Sequence, residues 1–171
     1  QGKDVINLSV GEPDFPTPKN ICDAAIYAMN NGYTKYTPGL GMMELRVAVC
    51  EKLKRDNDLS YSPNNIIVSC GAKHSLYNAC QTLFEKNDEV IIFTPYWVSF
   101  PDFISVTGAT PIIVQTDPTQ QYEPNFDDLG EKITSNTKGI IINSPSNPTG
   151  GVWRDNAMKK IIEIAQAHNL W

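Results

Sequence analysis

Apolar positions in this chain follow two rhythms that alternate from residue 66 onward. Ile66-Ile67-Val68, Val90-Ile91-Ile92-Phe93, Pro111-Ile112-Ile113-Val114 and Ile140-Ile141-Ile142 are short, continuous and β-branched, the pattern of strands buried on both faces. Between and after them the apolar residues take helical spacing over Lys73–Phe84, Val98–Val106, Phe126–Ile133 and Asn156–Ala167. In the third of these helices Phe126, Leu129 and Ile133 are predicted to face inward. Strands alternating with helices predict an α/β fold: a mostly parallel sheet with helices on both faces.

The first third is less regular. After the apolar run Val5–Val10, Thr17 is a candidate N-cap with Pro18 at the first helical position, and Gly32 closes that helix. Ile21, Ala25, Ala28 and Met29 keep one apolar face between them. A loop rich in glycine and aromatics, Tyr33–Gly41, leads to a second amphipathic helix over Met42–Asp56 with Leu45, Val49 and Leu53 on one side. No internal repeat or low-complexity tract interrupts the 171 residues.

Composition narrows the classes. Hydrophobic residues make up 41% and charged residues 19%, a globular balance with enough chain for a sizeable core. The formal net charge is −5 and no basic run occurs, which argues against a nucleic-acid partner. No apolar stretch reaches membrane-spanning length, and residues 1–20 carry no signal-peptide hydrophobic region. Cys22, Cys50, Cys70 and Cys80 form no C-x-x-C pair, and His74 and His168 complete no zinc pattern. Four thiols without a framework predict a reducing, cytoplasmic setting and no metal. The chain opens on Gln1-Gly2-Lys3 and closes on Leu170-Trp171, where a further strand is expected to begin. A piece of a longer polypeptide is the expectation.

Candidate chemistry gathers where strands hand over to loops. Asn143-Ser144-Pro145-Ser146-Asn147-Pro148-Thr149-Gly150-Gly151 follows a strand's carboxyl end, where ligands bind in open α/β sheets. Asn147 can offer an amide donor to a ligand oxygen there; a plain turn-rich connection is the bland alternative. Ser69-Cys70-Gly71-Ala72-Lys73 sits at a strand-to-helix junction whose free N–H groups favour a phosphate. It lacks P-loop spacing, so a nucleoside triphosphate site is not expected. Thr94-Pro95-Tyr96-Trp97 places an indole where it can lie against a planar ligand or merely cover the sheet edge. Gly11 lies in the turn Ser9–Phe15, where backbone could approach a ligand or simply reverse the chain.

Five segments resemble one family in order and spacing: the pyridoxal phosphate-dependent aminotransferases of the aspartate aminotransferase kind. They are Gly11-Glu12-Pro13-Asp14-Phe15, Lys35-Tyr36-Thr37 with Gly41, Gly71-Ala72-Lys73, Pro95-Tyr96-Trp97 and Asn147-Pro148-Thr149-Gly150. The resemblance implies that Gly71, Ala72 and Lys73 hold the phosphate of pyridoxal 5'-phosphate and that Trp97 stacks on its ring. It implies that Asn147 bonds the ring's phenolic oxygen and helps hold the substrate carboxylate, and that Gly11 touches substrate. Tyr36 would reach across a homodimer interface to the neighbour's cofactor phosphate. In one branch of the family a lysine at the position of Lys73 meets the distal carboxylate of an acidic substrate, which points to an aspartate-like donor and a 2-oxo acid acceptor. The Asn147–Pro148 bond is expected to be cis.

The resemblance also implies a division of the chain. Residues 1–32 would lead from the small domain into the cofactor domain, and 33–171 would form the first part of the large, cofactor-binding domain. The Schiff-base lysine, the acid facing the pyridine nitrogen and the arginine that clamps the substrate carboxylate all lie further along the family's chains. No catalytic residue is therefore expected among these 171, and this segment alone should not transaminate. Two other readings stay open: a non-catalytic cofactor- or amine-sensing domain of a transcription regulator, and an unrelated doubly wound nucleotide-binding domain, against which the missing G-x-G-x-x-G counts.

Overall fold

A computed structural model describes residues 11–171; the run Val5–Val10 falls outside them. The chain divides between Ile67 and Val68 into two compact units. In the first, α1 (Lys19–Asn30) starts one residue later than expected, with Pro18 as its N-cap. Gly32 ends it at φ +79°, a left-handed turn that glycine adopts without strain. The second helix, α2 (Met43–Asn57), keeps one charged side chain buried: Arg46, whose Nε and Nη2 donate to the Pro63 carbonyl at 2.9 and 2.6 Å. Pro63 opens a 3₁₀ turn, Pro63–Asn65.

Ile66-Ile67-Val68 is not a strand. Ile67 is 65% exposed, and no ladder includes this segment among the described residues. Its apolar character matches a buried strand, but a strand is made by hydrogen bonds to a neighbouring strand, and no described residue supplies them.

The second unit is the predicted α/β layer structure. Its elements are α3 (Ala72–Leu83), β1 (Glu89–Phe93), α4 (Phe100–Ser105), β2 (Thr110–Val114), β3 (Thr116–Asp117), β4 (Glu123–Pro124), α5 (Phe126–Lys132), β5 (Thr137–Ile140) and α6 (Asp155–Ala167). β1 is central, paired in parallel with β2 on one side and β5 on the other. The last strand sits two to three residues earlier than the Ile140–Ile142 run, because the chain turns away into the Asn143 loop. β3 and β4 form a small antiparallel hairpin, Thr116 opposite Pro124, that the apolar pattern did not reveal.

β1 explains why helices cover both faces. Its side chains alternate: Val90 and Ile92 pack with Cys80 of α3 and Phe100, Phe103 and Ile104 of α4. Ile91 and Phe93 pack with Val114, Leu129 of α5, and Trp153, Ala157 and Ile161 on and before α6. Val90, Ile91 and Ile92 have no solvent exposure, so each withdraws about 1.5–3 kcal/mol worth of apolar side chain from water. At the far edge of β5 the Trp171 N–H donates to the Lys138 carbonyl and its own carbonyl accepts from Ile140 N–H, both at 2.9 Å. This is the parallel pairing expected of a strand beginning at Leu170-Trp171.

Candidate functional site

The connection after β1 enters α4 on one face of the sheet, whereas that after β5 enters α6 on the opposite face. Two neighbouring strands whose exits diverge in this way leave a crevice between their carboxyl ends. A cleft lies there, lined by Thr94, Pro95 and Tyr96 from the β1 side and by Ile141, Asn143 and Ser146 from the β5 side.

On the β1 side the Thr94–Pro95 bond is cis. Trp97 is half-buried: its ring meets Phe100 edge-on at 5.7 Å and Phe103 at 5.9 Å. That packing is the sheet-covering role, and the Lys73 ammonium lies over the ring, 5.1 Å from its centroid. Lys73 is exposed on the first turn of α3. Gly71 is the N-cap at φ +85°, ψ 168°, a conformation that side chains resist. Gly71 N–H turns back to the Ser69 carbonyl at 2.8 Å, and Cys70 N–H donates to His74 Nδ1 at 3.1 Å, which leaves the His74 proton on Nε2. Ala72, Lys73 and His74 are the first residues of α3, and their N–H groups have no partner within the helix. A lysine faces the positive end of this helix dipole, and the first turn contains no acid; an anion would answer both.

On the β5 side the loop is held by its own polar groups. Ser144–Pro145 and Asn147–Pro148 are cis, the second as expected. Asn143 Oδ1 accepts from the Asn147 N–H at 2.8 Å and Asn143 Nδ2 donates to the Pro145 carbonyl at 3.2 Å. Ser144 Oγ accepts from Trp153 N–H at 3.0 Å, and Ser146 and Gly150–Gly151 close a tight turn at 2.7 and 2.8 Å. The Asn147 side chain is exposed and enters none of these bonds, so its carboxamide remains available.

The β3–β4 hairpin braces the loop from outside. Trp153 Nε1 donates to the Tyr122 carbonyl at 2.8 Å, and the Trp153 ring meets Phe93 edge-on at 4.9 Å. Arg154 grips Glu123 through Nε and Nη2 at 2.7 and 2.6 Å. That fork of charge-assisted bonds holds the Glu123 carboxyl below the usual carboxylate range.

The second unit thus brings Lys73, next to Gly71 and Ala72, onto Trp97, and leaves Asn147 exposed in the loop whose Asn143 and Ser146 line the crevice. Gly11 and Tyr36 belong to the first unit. Gly11 has open space where a Cβ would stand, and Tyr36 is fully exposed in a loop that lines a hollow with Asn31, Lys35 and Met43. Asn143, which spends its side chain on holding the loop, had no assigned role in the sequence reading although it stands in the same motif. Among the described residues no group of His, Cys, Asp and Glu is arranged to hold a metal, and no helix is long and apolar enough to cross a membrane.

Comparison with known proteins agrees with this geometry. The family described as "Aminotransferase class I and II" matches residues 3–171. An aspartate aminotransferase of Bacillus sp. (strain YM-2) is 50% identical over 170 residues, which are 99% of this chain and 43% of that protein. A Thermus thermophilus aspartate aminotransferase single mutant superposes with a TM-score of 0.94 at 38% identity, over 99% of this chain and 44% of the other. An aromatic aminotransferase from Pyrococcus horikoshii OT3 superposes with a TM-score of 0.93 at 37% identity, over 99% of this chain and 46% of that one. The chain therefore spans less than half the length of the relatives it matches.

Proposed function

The chain belongs to the class I and II aminotransferases, and from that membership we propose that the full-length protein moves an amino group from an acidic, aspartate-like amino acid to a 2-oxo acid, using pyridoxal 5'-phosphate. In this reading residues 1–32 lead into the cofactor domain and 33–171 form its first part. The rest of the polypeptide supplies the reactive lysine, the acid facing the pyridine nitrogen and the arginine for the substrate carboxylate. The protein is a cytoplasmic homodimer.

One observation carries the reading. The free N–H groups at the start of α3, an ammonium with no carboxylate partner among the described residues and an indole face come together where Lys73 lies over Trp97. That donor set fits a phosphorylated planar ring. Ala72 and Lys73 N–H groups bind the phosphate, Gly71 lets it approach, and Trp97 offers the ring a flat face. Asn147 directs its carboxamide at the phenolic oxygen and the substrate carboxylate, and Gly11 contributes a backbone contact to substrate. Tyr36, exposed on its loop, serves the partner's phosphate. When bound, the cofactor supplies an electron sink for the substrate's α-carbon; these residues bind and orient it.

The donor preference rests on Lys73. The Thermus thermophilus neighbour with a TM-score of 0.94 is an aspartate aminotransferase, whereas the Pyrococcus neighbour at 0.93 is an aromatic aminotransferase. Fold alone therefore does not choose the substrate, and the cation over Trp97 is what supports an acidic donor. The test is to load the full-length protein with pyridoxal phosphate, follow its absorbance, and assay aspartate against alanine and tyrosine. Turnover fastest with aspartate supports the proposal. Cofactor binding without turnover of any donor would replace it with the sensing-domain reading.

A further inference from the structure

The two asparagines of the β5 loop divide their labour. Asn147 leaves its carboxamide outside every hydrogen bond of the loop, whereas both ends of the Asn143 carboxamide are committed. The Asn143 oxygen accepts the Asn147 main-chain N–H at 2.8 Å, and its nitrogen donates to the Pro145 carbonyl at 3.2 Å. Donor meets acceptor at both ends, so the amide orientation is fixed by the network itself. Asn143 stands three residues beyond the end of β5 and is half-buried on the wall of the crevice. It is thus anchored close to the sheet, whereas Asn147 is exposed at the loop's outer turn.

From this geometry we infer that Asn143 is a positioning residue for the cofactor and substrate contacts of Asn147. The inference rests on the functional reading above. The Asn147 backbone has one polar tie toward the sheet among the loop's hydrogen bonds, and that tie is the Asn143 oxygen. The other bonds of the turn join Ser146, Thr149, Gly150 and Gly151 to one another and leave the Asn147 N–H untouched. Removing the Asn143 oxygen frees the Asn147 main chain to rotate. The carboxamide then loses its aim, while the strands and the α6 packing beneath remain. Trp153 N–H keeps its separate bond to Ser144 Oγ, so the loop's base stays attached when its tip is released.

This predicts a coupling that general loosening of the fold would not produce. In the cofactor-loaded, full-length protein, Asn147→Ala should weaken pyridoxal phosphate binding about tenfold, the value of one good hydrogen bond. Asn143→Ala should reach nearly the same loss without touching the ligand. In the Asn147→Ala background, Asn143→Ala should add less than about twofold, because the group it positions is gone. The isosteric Asn143→Asp keeps an acceptor for the Asn147 N–H and gives up only the longer bond to the Pro145 carbonyl, leaving an oxygen facing that carbonyl. It should hold kcat/KM within about tenfold of wild type, against roughly a hundredfold loss for Asn143→Ala. Dissociation constants read from cofactor absorbance, with thermal midpoints as the folding control, decide the matter. If Asn143→Ala does not fold, the Asp variant alone and in the Asn147→Ala background decides it. Losses that multiply in the double variant, or an Asp variant as poor as Ala, would overturn the inference while leaving the functional reading intact. A wild-type protein that bound no cofactor would overturn both.

Discussion

Lys73 Nζ rests over the Trp97 ring at 5.1 Å from its centroid, so the side chain that begins α3 and the one that follows β1 face the same rim of the sheet. A cation on an exposed indole is held by only about 0.5–1 kcal/mol. An anionic group therefore needs little to draw the ammonium away. Trp97→Ala in the full-length protein removes a stacking surface worth roughly 0.5–1.5 kcal/mol beyond burial. Pyridoxal phosphate affinity should fall by about two- to tenfold and not vanish, as measured by cofactor titration. Unchanged affinity would leave Trp97 only its packing against Phe100 and Phe103.

Lys73→Ala tests substrate recognition against phosphate binding. A charge-assisted bond to a distal carboxylate is worth about 1.5–3 kcal/mol. Lys73→Ala should accordingly lower kcat/KM for aspartate roughly tenfold to a hundredfold while sparing alanine and tyrosine. Equal losses for all three donors would assign Lys73 to the cofactor phosphate.

Any side chain at Gly139 in β5 would need the Phe84 ring to shift. A Cβ at that position would stand 2.6 Å from two atoms of the Phe84 ring, and Phe84 packs against the buried Val90 and Cys80 cluster. Gly139→Ala forces that ring to move and should cost roughly 1–3 kcal/mol in urea denaturation. The cost should shrink in a Phe84→Leu background, and an undiminished cost would locate the strain in the β5 backbone instead.

The parts legible in the sequence are those where local chemistry and tertiary context agree. Val90–Phe93 is apolar without a gap because the strand is covered on both faces, and that alone predicts the layers around it. The motif loops were legible because glycine, proline and asparagine act locally, at Gly71 and at Asn147–Pro148. The failures share one cause. Ile66–Val68 has strand composition but no ladder partner among the described residues. Conversely, Thr116–Asp117 and Glu123–Pro124 make a hairpin with no apolar rhythm, because Trp153, Arg154 and the Asn147 loop hold it from outside. Asn143 escaped for the same reason: a carboxamide that braces and one that recognises are the same residue type until their partners are seen.

Tyr36 tests the assembly. It is fully exposed on its own chain, so its ring and hydroxyl are free to meet a second subunit. A two-fold dimer in which it serves the neighbour's cofactor gives that exposure a function. Tyr36→Phe should loosen cofactor binding severalfold, by one hydrogen bond. In mixed dimers carrying one tagged variant subunit, the defect should appear at the wild-type subunit's site. A fully active monomer would refute the assignment.

Acid should release the hairpin before it reaches the sheet. Three carboxyls of this region are held below their usual range in the folded state: Glu123 by Arg154, Asp117 by the Thr119 hydroxyl and N–H, and Asp128 by Lys132 and the Gln115 N–H. A folded-state value below the unfolded one means that the unfolded chain binds the proton first. Their stabilising contribution is therefore complete above the ordinary carboxylate value near 4, and is lost as pH falls through the lower folded-state values. Stability measured by urea midpoint should be flat with respect to these groups from neutral pH to about 5 and should decline steadily below 4. Glu123→Gln removes the titrating group and one side of the fork with Arg154. It should lower stability at pH 7 and make the acid decline shallower, bringing the two curves together toward pH 3. Since Glu123 and Arg154 brace the start of α6 behind the Asn147 loop, the same variant should also speed amide exchange in residues 143–154 at neutral pH. Parallel stability curves for the variant and wild type across this range would mean that Glu123 does not carry its share of the acid transition.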